Sequence, residues 1–263
     1  MKLEFQGLGA LAVAVALLLP TAAQAQLKVI MSGGFEAAYR QVLPEFERTT
    51  GLRVETGSGG SQGTGPETIR AQLRGGAMAD VVILSREGLD ELIADGRIVA
   101  GTEVGLAEAA LGAAVRAGAP KPDVSTMEAF KQTLLRAGTI AIPASTSGIY
   151  LTKELFPRLG VADRITVKMP ARGAQSAAMV AAGEADLAIQ PVSELVPAAG
   201  LTFAGELPAE VQLIQTFSAA VVKGSKEQAA AARLIAFLAS DNAAAAITRS
   251  GMKRPASGRS GSR

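Results

Sequence analysis

The chain of 263 residues is long enough for one large domain or for two smaller ones, each with its own core. Hydrophobic residues make up 48% of it and charged residues 19%, a balance typical of a folded globular protein. The sequence contains no Cys, His or Trp. This excludes Cys and His nucleophiles, His general bases and metal sites built from His or Cys ligands. We therefore expect neither a metal nor another cofactor.

The formal charge of +2 is unevenly distributed along the chain. Segment 253–263 carries four basic residues, no acidic residue and almost no apolar residue; the basic ones are Lys253, Arg254, Arg259 and Arg263. Without this segment the chain is slightly acidic, so no nucleic-acid-binding surface is indicated. We predict that 253–263 is a disordered basic tail.

The N-terminus has the organisation of an export signal. Lys2 precedes an apolar run, Leu8–Pro20, that is too short to span a membrane, and Ala23-Gln24-Ala25 supplies an A-x-A cleavage site. We predict that 1–25 is a signal peptide, that the mature chain starts at Gln26 in the periplasm, and that no part of it then inserts into the membrane.

Strands and helices are predicted to alternate after this signal. In the first part, an apolar periodicity beginning at Phe35 indicates a helix that Pro44 should kink or divide, and a capping box at Thr64–Glu67 indicates a helix over Pro66–Arg74. The strands predicted there are Leu27–Ser32, Arg53–Thr56 and Asp80–Leu84.

A second set of units follows, introduced by a capping box at Ser125–Glu128. Its predicted strands and helices are Thr139–Ile142, Ser147–Leu159, Ile165–Met169, Gln175–Ala182 and Leu187–Gln190, before an Ala-rich helix that Ser225 caps and that restarts at Ser240. Two long extended segments, near 104–117 and 201–222, connect the sets. This order predicts an α/β protein with mostly parallel sheets in two lobes around a cleft. Lobe I comprises 26–104 plus about 208–252, and lobe II about 105–207.

Several strand-to-helix turns are rich in Ser, Thr and Gly. In parallel sheets such turns lie at the carboxyl ends of strands, where helix N-termini present free N–H groups to anions. Each turn alone is most simply a helix cap, but their repetition favours an anion site. The predicted ligand-binding residues are Ser32, Gly33, Gly34, Gly60, Ser61, Thr146, Ser147, Gly148, Arg172, Gln175 and Gln190.

Other sequence motifs are incomplete, and the residues that they lack exclude the corresponding functions. Gly59–Gly63 fits the G-x-S-x-G nucleophile elbow, but a chain without His cannot form a Ser-His-acid triad. The glycine-rich turn lacks the Lys of a phosphate-binding loop and the last Gly of a dinucleotide fingerprint. If the cleft is catalytic, its base has to be a carboxylate, Lys or Tyr. The candidates are Glu67, Asp80, Tyr150 and Glu194, which the sequence does not rank; for Asp80 and Glu194 a surface or capping position is the simpler interpretation.

Across residues 27–252 the chain resembles the molybdate-binding-protein branch of the periplasmic solute-binding proteins. The segments that carry this resemblance, by their order and spacing, are Leu27–Gly34, Gly75–Ile83, Thr146–Tyr150, Gly183–Gln190 and Phe217–Val222. The resemblance implies a two-lobed type II periplasmic binding-protein fold, with a small oxyanion held by backbone N–H groups and hydroxyls.

The sequence departs from that branch at the expected ligand positions. Gly34 stands where a Ser is expected after the first strand, and Pro191 stands where a ligand Tyr is expected. The turn Gly57–Gly65 is also longer and richer in glycine. The chain is therefore similar to a divergent branch that includes a periplasmic aconitate isomerase, and a carboxylate is expected in place of molybdate.

Two functions remain from the sequence. The first is a monomeric periplasmic binding protein for a small anion, a di- or tricarboxylate rather than molybdate, which delivers it to an ABC permease. The alternative is a cofactor-free isomerase that interconverts trans- and cis-aconitate by allylic proton transfer. The catalytic residue stays unknown at this level.

Overall fold

The computed structural model describes residues 26–256. The predicted signal peptide, 1–25, and the end of the basic tail, 257–263, lie outside the described residues. The nine strands within this range are β1 (Gln26–Met31), β2 (Arg53–Ser58), β3 (Val81–Ser85), β4 (Val104–Arg116), β5 (Ile140–Ala141), β6 (Val167–Lys168), β7 (Leu187–Pro191), β8 (Leu201–Glu206) and β9 (Ile214–Val221).

Helices follow most of these strands. They are α1 (Glu36–Thr50), α2 (Ile69–Arg74), α3 (Arg86–Ala94), α4 (Met127–Arg136), α5 (Thr146–Tyr150), α6 (Phe156–Leu159), α7 (Gly173–Ala182), α8 (Val192–Leu195), α9 (Gln228–Ala239) and α10 (Ala244–Arg249). A π-helical turn, Leu151–Leu155, joins α5 to α6, so the chain is helical from 146 to 159 as the sequence predicted.

The sheet order is β2-β1-β3-β9-β4-β7-β5-β6, and β8 also pairs with β4. The two outer triplets, β2-β1-β3 and β7-β5-β6, are parallel. The long strands β4 and β9 pair antiparallel with each other and with the triplets beside them. The expectation of mostly parallel sheets therefore holds for the β-α units, whereas the connecting segments add antiparallel pairs. They do so because a chain that crosses between lobes and returns runs in both directions.

Two sets of hydrophobic cores correspond to two α/β lobes. In the first lobe, β1, β3 and β9 are covered by α1, α9 and α10 on one face and by α2 and α3 on the other. In the second, β4, β5 and β7 are covered by α4, the helical segment 146–159 and α7. Ala109 belongs to the first core, whereas Val211 belongs to the second and Leu213 packs against it. Membership of the two cores therefore changes near 110 and near 213 along the chain.

Three local predictions need correction. Thr68, not Thr64, caps α2, with its hydroxyl accepting from the Ala71 N–H at 3.2 Å. The preceding glycine-rich loop folds back on itself through the hydrogen bonds that Gly60 makes with Glu67 and Ile69, so the helix starts later than Pro66.

Pro44 does not divide α1, which continues from Glu36 to Thr50. Pro44 and Arg40 both lie on the exposed face of the helix. The Arg40 carbonyl, which loses its N–H partner at Pro44, is therefore accessible to water. In α4 the cap is Thr126, one residue after the Ser at which the predicted box began.

No single helix in residues 26–256 is both long and apolar enough to cross a membrane. The pair Gln228–Ala239 and Asp241–Arg249 has sufficient length and apolar content only when taken together, and it is bent by 56°. Both parts pack against the first core.

Candidate functional site

A small cavity lies between the two lobes. The first lobe contributes the turns after β1 and β2 together with β9, through Ser32, Gly33, Gly34, Gly59, Gly60, Ser61, Gln215 and Phe217. The second lobe contributes the turns after β5, β6 and β7, through Pro143, Ser145, Ser147, Ala171, Arg172, Gly173, Pro191 and Glu194. All five turns follow the carboxyl ends of parallel strands, the usual ligand position in such sheets.

Seven of the eleven residues predicted to bind a ligand line this cavity: Ser32, Gly33, Gly34, Gly60, Ser61, Ser147 and Arg172. The part of the cavity wall that these residues form has many hydrogen-bond donors and few charged groups. The Ser32 hydroxyl is buried and has no hydrogen-bond partner among the described residues. Arg172 is exposed, and its guanidinium donates to the Ser58 hydroxyl of the other lobe at 2.5 Å. An anion in the cavity would thus find an unpaired hydroxyl and a guanidinium at its edge.

Thr146 and Gly148 do not line the cavity, although they flank Ser147. The Thr146 hydroxyl is buried in a hydrogen bond of 2.8 Å with the Ser85 hydroxyl. Gly148 packs against the backbone of Pro143, where a Cβ would lie 1.9 Å from the carbonyl oxygen. Gly148 is therefore required by the packing of its helix rather than by the approach of a ligand.

Gln175 and Gln190 also lie outside the cavity lining, but they form hydrogen bonds to the backbone of residues that line it. Gln175 Oε1 accepts from the Arg172 N–H at 3.1 Å and thereby fixes the start of α7. Gln190 is fully buried, and its amide donates to the Glu194 carbonyl at 3.4 Å. Both glutamines therefore hold the backbone of turns whose other residues face the cavity.

Gln215 and Phe217 of β9 line the cavity but were not predicted from the sequence. The available signal was an amide inside an otherwise buried strand, since Gln215 is only 2% exposed. Its Oε1 has no hydrogen-bond partner among the described residues. The Phe217 ring lies over Gly34, where a Cβ would come within 1.9 Å of it. A side chain at position 34 would therefore displace Phe217.

The most informative residue of the site is Glu194. It lies in α8, directly after β7, and is partly buried with its side chain on the cavity. It is the only carboxylate among the described lining residues. Burial raises the pKa of Glu194 to about 7, and the negative charge of Glu36 adds a smaller contribution. The simpler interpretation from the sequence, a surface or capping carboxylate, is wrong for this residue.

The other three candidate bases lie outside the cavity lining. Asp80 accepts from the Lys28 N–H at 2.8 Å and from the Ser225 hydroxyl at 2.6 Å. The Tyr150 hydroxyl donates to the Val211 carbonyl at 3.0 Å. Each of these two groups therefore has a structural role.

Glu67, the remaining candidate, turns its carboxylate back over Gly65 of its own loop. No group of three or more Asp or Glu side chains that could hold a metal ion occurs within 26–256.

The glycine-rich loop after β2 is anchored by side chains of its own lobe. Gln62 donates from its amide to Glu91 at 2.7 Å. Behind Glu91, Arg70 makes two hydrogen bonds of 2.8 Å to Asp95, which also pairs with Arg74. The two guanidinium groups hold the pKa of Asp95 well below its usual range. This network fixes the loop that carries Gly60 and Ser61.

Within residues 26–256, three hydrogen bonds connect the lobes around the cavity, so the lobes are closed. They join Arg172 to Ser58 at 2.5 Å, the Gln62 N–H to the Ser145 hydroxyl at 3.5 Å, and Ser85 to Thr146 at 2.8 Å. The Ser85–Thr146 pair is buried.

Two α/β lobes that close on a donor-lined cavity define the class of two-lobed type II periplasmic binding proteins. The model of the bacterial extracellular solute-binding protein family matches residues 27–253. The chain belongs to this family.

One relative, from Pseudomonas sp. and named aconitate isomerase, is 38% identical over 253 residues, which cover 96% of this chain and 97% of the relative. Among solved structures, the periplasmic molybdate-binding protein of Azotobacter vinelandii is similar with a TM-score of 0.68 and 22% identity, over 87% of this chain and 99% of that one. The sulfate-binding protein SubI of Mycobacterium tuberculosis H37Rv is similar with a TM-score of 0.71 and 18% identity, over 89% and 88% of the two chains. At these identities the two structures establish the fold.

Proposed function

We propose that the protein is a periplasmic isomerase that interconverts trans- and cis-aconitate, with Glu194 as the base. The observation that carries this proposal is a single carboxylate with a raised pKa inside a cavity lined with anion donors. An ionised carboxylate facing the ligand weakens binding of an anion to a passive receptor, because like charges repel. A base with a pKa near neutrality, in contrast, is suited to proton transfer at physiological pH. The name of the 38% identical relative supports the same activity.

The reaction that we propose balances without a co-reactant. The Glu194 carboxylate removes a proton from the methylene carbon of aconitate, and the C–H electron pair enters the allylic system. The double bond moves to the former methylene carbon as the protonated carboxyl returns its proton to the former vinyl carbon. Glu194 is regenerated, and the new double bond can have either geometry. This is the allylic proton transfer expected from the sequence.

The cavity lining has the groups that such a substrate requires. Three carboxylates and a carbanion-enolate intermediate need several hydrogen-bond donors fixed in place before the reaction. The hydroxyls of Ser32, Ser61 and Ser147, the guanidinium of Arg172 and the amide of Gln215 are candidates for these contacts. The helix starts at Gly33 and Gly173 add backbone N–H groups without an intrahelical partner.

A carboxylate is favoured over a tetrahedral metal oxyanion at two positions of the cavity. Gly34 and Pro191 both line it and supply no side-chain hydroxyl. A Ser at 34 would collide with the Phe217 ring unless that ring moved. The donors that molybdate would need from these positions are therefore missing, which supports the carboxylate proposal.

The decisive experiment is incubation of trans-aconitate with purified protein in the presence of a chelator, with the appearance of cis-aconitate followed by NMR. We expect turnover by the parent protein. Glu194→Gln should lose at least about 100-fold in kcat, because the neutral amide cannot take up the proton. Its affinity for the tricarboxylate should be retained, since removing a negative charge does not weaken binding of an anion. Binding of aconitate without any turnover by the parent would refute the isomerase.

The second candidate is a receptor that passes a carboxylate to an ABC permease. The family and the closed lobes favour it, because closure around a ligand suits capture and delivery. Calorimetry distinguishes the possible ligands. Tight binding of molybdate, with no heat from aconitate or citrate, would identify the protein as an oxyanion receptor instead. Carboxylate binding combined with absence of turnover would identify the receptor.

A further inference from the structure

The Glu194 carboxyl lies between two glycines that belong to opposite lobes. A Cβ built on Gly33, after β1, would lie 2.2 Å from Oε1 of Glu194. A Cβ built on Gly173, at the start of α7, would lie 2.5 Å from Oε2. Real Cβ atoms do not approach other atoms so closely. Each position therefore leaves room for the carboxyl only because it has no side chain.

Backbone conformation does not explain these two glycines. Neither Gly33 nor Gly173 is among the glycines with positive φ, so another residue could adopt the same backbone angles. What the two positions share is their contact with the carboxyl of Glu194. The evident structural role of Gly33 and Gly173 is therefore to leave space for this carboxyl.

The two contacts differ in their dependence on lobe closure. Glu194 and Gly173 both belong to the second lobe, so their contact does not require the first lobe. Gly33 belongs to the first lobe and reaches Glu194 only while the lobes are closed, as they are here through Ser85 and Thr146. Opening the lobes would remove Gly33 from the carboxyl and let water in.

The ionisable groups around this carboxyl are few in the described part of the chain. Glu36, in the first turn of α1, adds negative charge from the first lobe. Arg172, at the start of α7, is the basic residue of the cavity lining. Lobe opening would separate Glu194 from Glu36 and hydrate it, and both changes favour the charged carboxylate.

We infer that Gly33 and Gly173 are positioning residues for the Glu194 carboxyl, and that closure of the lobes assembles the base by bringing Gly33 against it. This inference rests on the proposed function, in which Glu194 transfers the proton. It assigns a role in the reaction to two residues that carry no functional group.

The test compares Gly33→Ala and Gly173→Ala with Gly105→Ala. Gly105 lies on an exposed part of β4 outside the cavity lining, and a Cβ there would have no contact closer than 3.5 Å. The added methyl at 33 or 173 should push the carboxyl away and lower kcat about 10- to 100-fold. KM should change less than kcat, because the substrate donors remain. The midpoint of the pH profile of kcat should move to lower pH, a change that a merely structural role would not cause. Gly105→Ala should match the parent.

A readout independent of activity separates this inference from the proposed function. The carboxyl of Glu194 is followed by carbon-13 NMR in ligand-free protein, with Glu194→Gln to assign its signal. We expect a titration near pH 7 in the parent and at least about one pH unit lower in the two variants. An unchanged midpoint in both folded variants would overturn the inference. A shifted midpoint in a protein without isomerase activity would refute the proposed function and leave the positioning intact. Thermal unfolding checks that each variant is folded, and either variant alone suffices for the test.

Discussion

At the scale of single residues, Glu194 is the cavity residue whose pKa is shifted by its surroundings. A carboxyl that is buried without an opposite charge holds its proton more tightly than it does in water. Its pKa of about 7, against an ordinary 4.5, means that both protonation states are populated at physiological pH. The same property that suits proton transfer therefore also links the stability of the protein to pH.

We predict that Glu194 destabilises the protein as pH rises. Because the folded-state pKa is raised, its contribution is favourable below about pH 4.5 and is lost as pH increases through about 7. The parent should therefore lose stability relative to Glu194→Gln between about pH 5 and about pH 8, by at most about 3 kcal/mol. Urea unfolding at both pH values measures this difference. Glu210→Gln, at an exposed position, serves as the control, and equal pH dependence of parent and Glu194→Gln would contradict the prediction.

Arg172 carries the second residue-scale prediction. A guanidinium can bind a carboxylate through two parallel hydrogen bonds, which an ammonium cannot reproduce. We expect Arg172→Lys to weaken tricarboxylate binding about tenfold, with an unchanged thermal unfolding temperature, because the side chain is exposed. Isothermal calorimetry with citrate or aconitate gives the affinity. Unchanged affinity would mean that Arg172 does not contact the ligand and only forms a hydrogen bond between the lobes.

At the scale of elements, the cavity is built where helices start. The segment beginning at Thr146, the helix α7 and the 3-10 turn Gly33–Phe35 before α1 all start at or next to residues that line the cavity. A helix N-terminus carries a partial positive charge, which attracts anions without requiring a basic side chain. This explains how the chain can have an anion site although it is slightly acidic without segment 253–263.

Ser147 tests this contribution. Its side chain is 2% exposed and lines the cavity at the start of the helical segment. Ser147→Ala should weaken tricarboxylate binding by about 1–2 kcal/mol through loss of a hydrogen bond to a charged ligand. Thr152→Ala is the matched control, because that hydroxyl bonds to the Gly148 carbonyl of its own helix and does not line the cavity. Equal affinities of the two variants in calorimetry would place the anion elsewhere.

Gly148 lies beside Ser147, but substitution there should act by a different route. A side chain at Gly148 meets the Pro143 carbonyl rather than the ligand. We therefore expect Gly148→Val to lower stability together with affinity, although the sequence predicted Gly148 to bind the ligand.

At the scale of the whole molecule, closure depends on a few polar contacts between lobes that have separate cores. Ser85 and Thr146 form the one pair of these contacts that is buried on both sides. Ser85 also accepts from the Gly88 N–H as the cap of α3, so it contributes to its own lobe as well. The pair lies next to residues that line the cavity from the two lobes: the Ser85 N–H donates to the Ser61 hydroxyl at 3.0 Å, and Thr146 precedes Ser147.

We predict that Ser85→Ala and Thr146→Val weaken ligand binding non-additively. Each single variant removes the same bond between the lobes, so the pair should show a coupling of about 0.5–1.5 kcal/mol in a double-mutant cycle. Small-angle X-ray scattering of ligand-free protein should show a larger radius of gyration for Thr146→Val if the closed state is lost. Strict additivity, with no change in shape, would mean that the pair does not hold the lobes together.

Much of the site was accessible from the sequence because it is built from turns. Ser32 to Gly34, Gly60, Ser61 and Ser147 lie at strand-to-helix turns, which glycine and small hydroxyls mark locally. Residues that reach the cavity from other elements could not be found in this way. Gln215 belongs to a strand that crosses between lobes, and only the pairing of that strand with Ala109 directs it to the cavity.

The sequence by itself determined the alternation of strands and helices and the two lobes, and it predicted an anion as the ligand. These properties follow from hydrophobic periodicity, turn residues and the absence of His and Cys, all of which are local or compositional. The tertiary structure decided which of four candidate bases lies in the cavity and which glycines surround it. A raised pKa and a glycine that makes room for a carboxyl both depend on atoms far apart in the chain. Gly33 and Glu194 belong to different lobes and are brought together at the cavity between them.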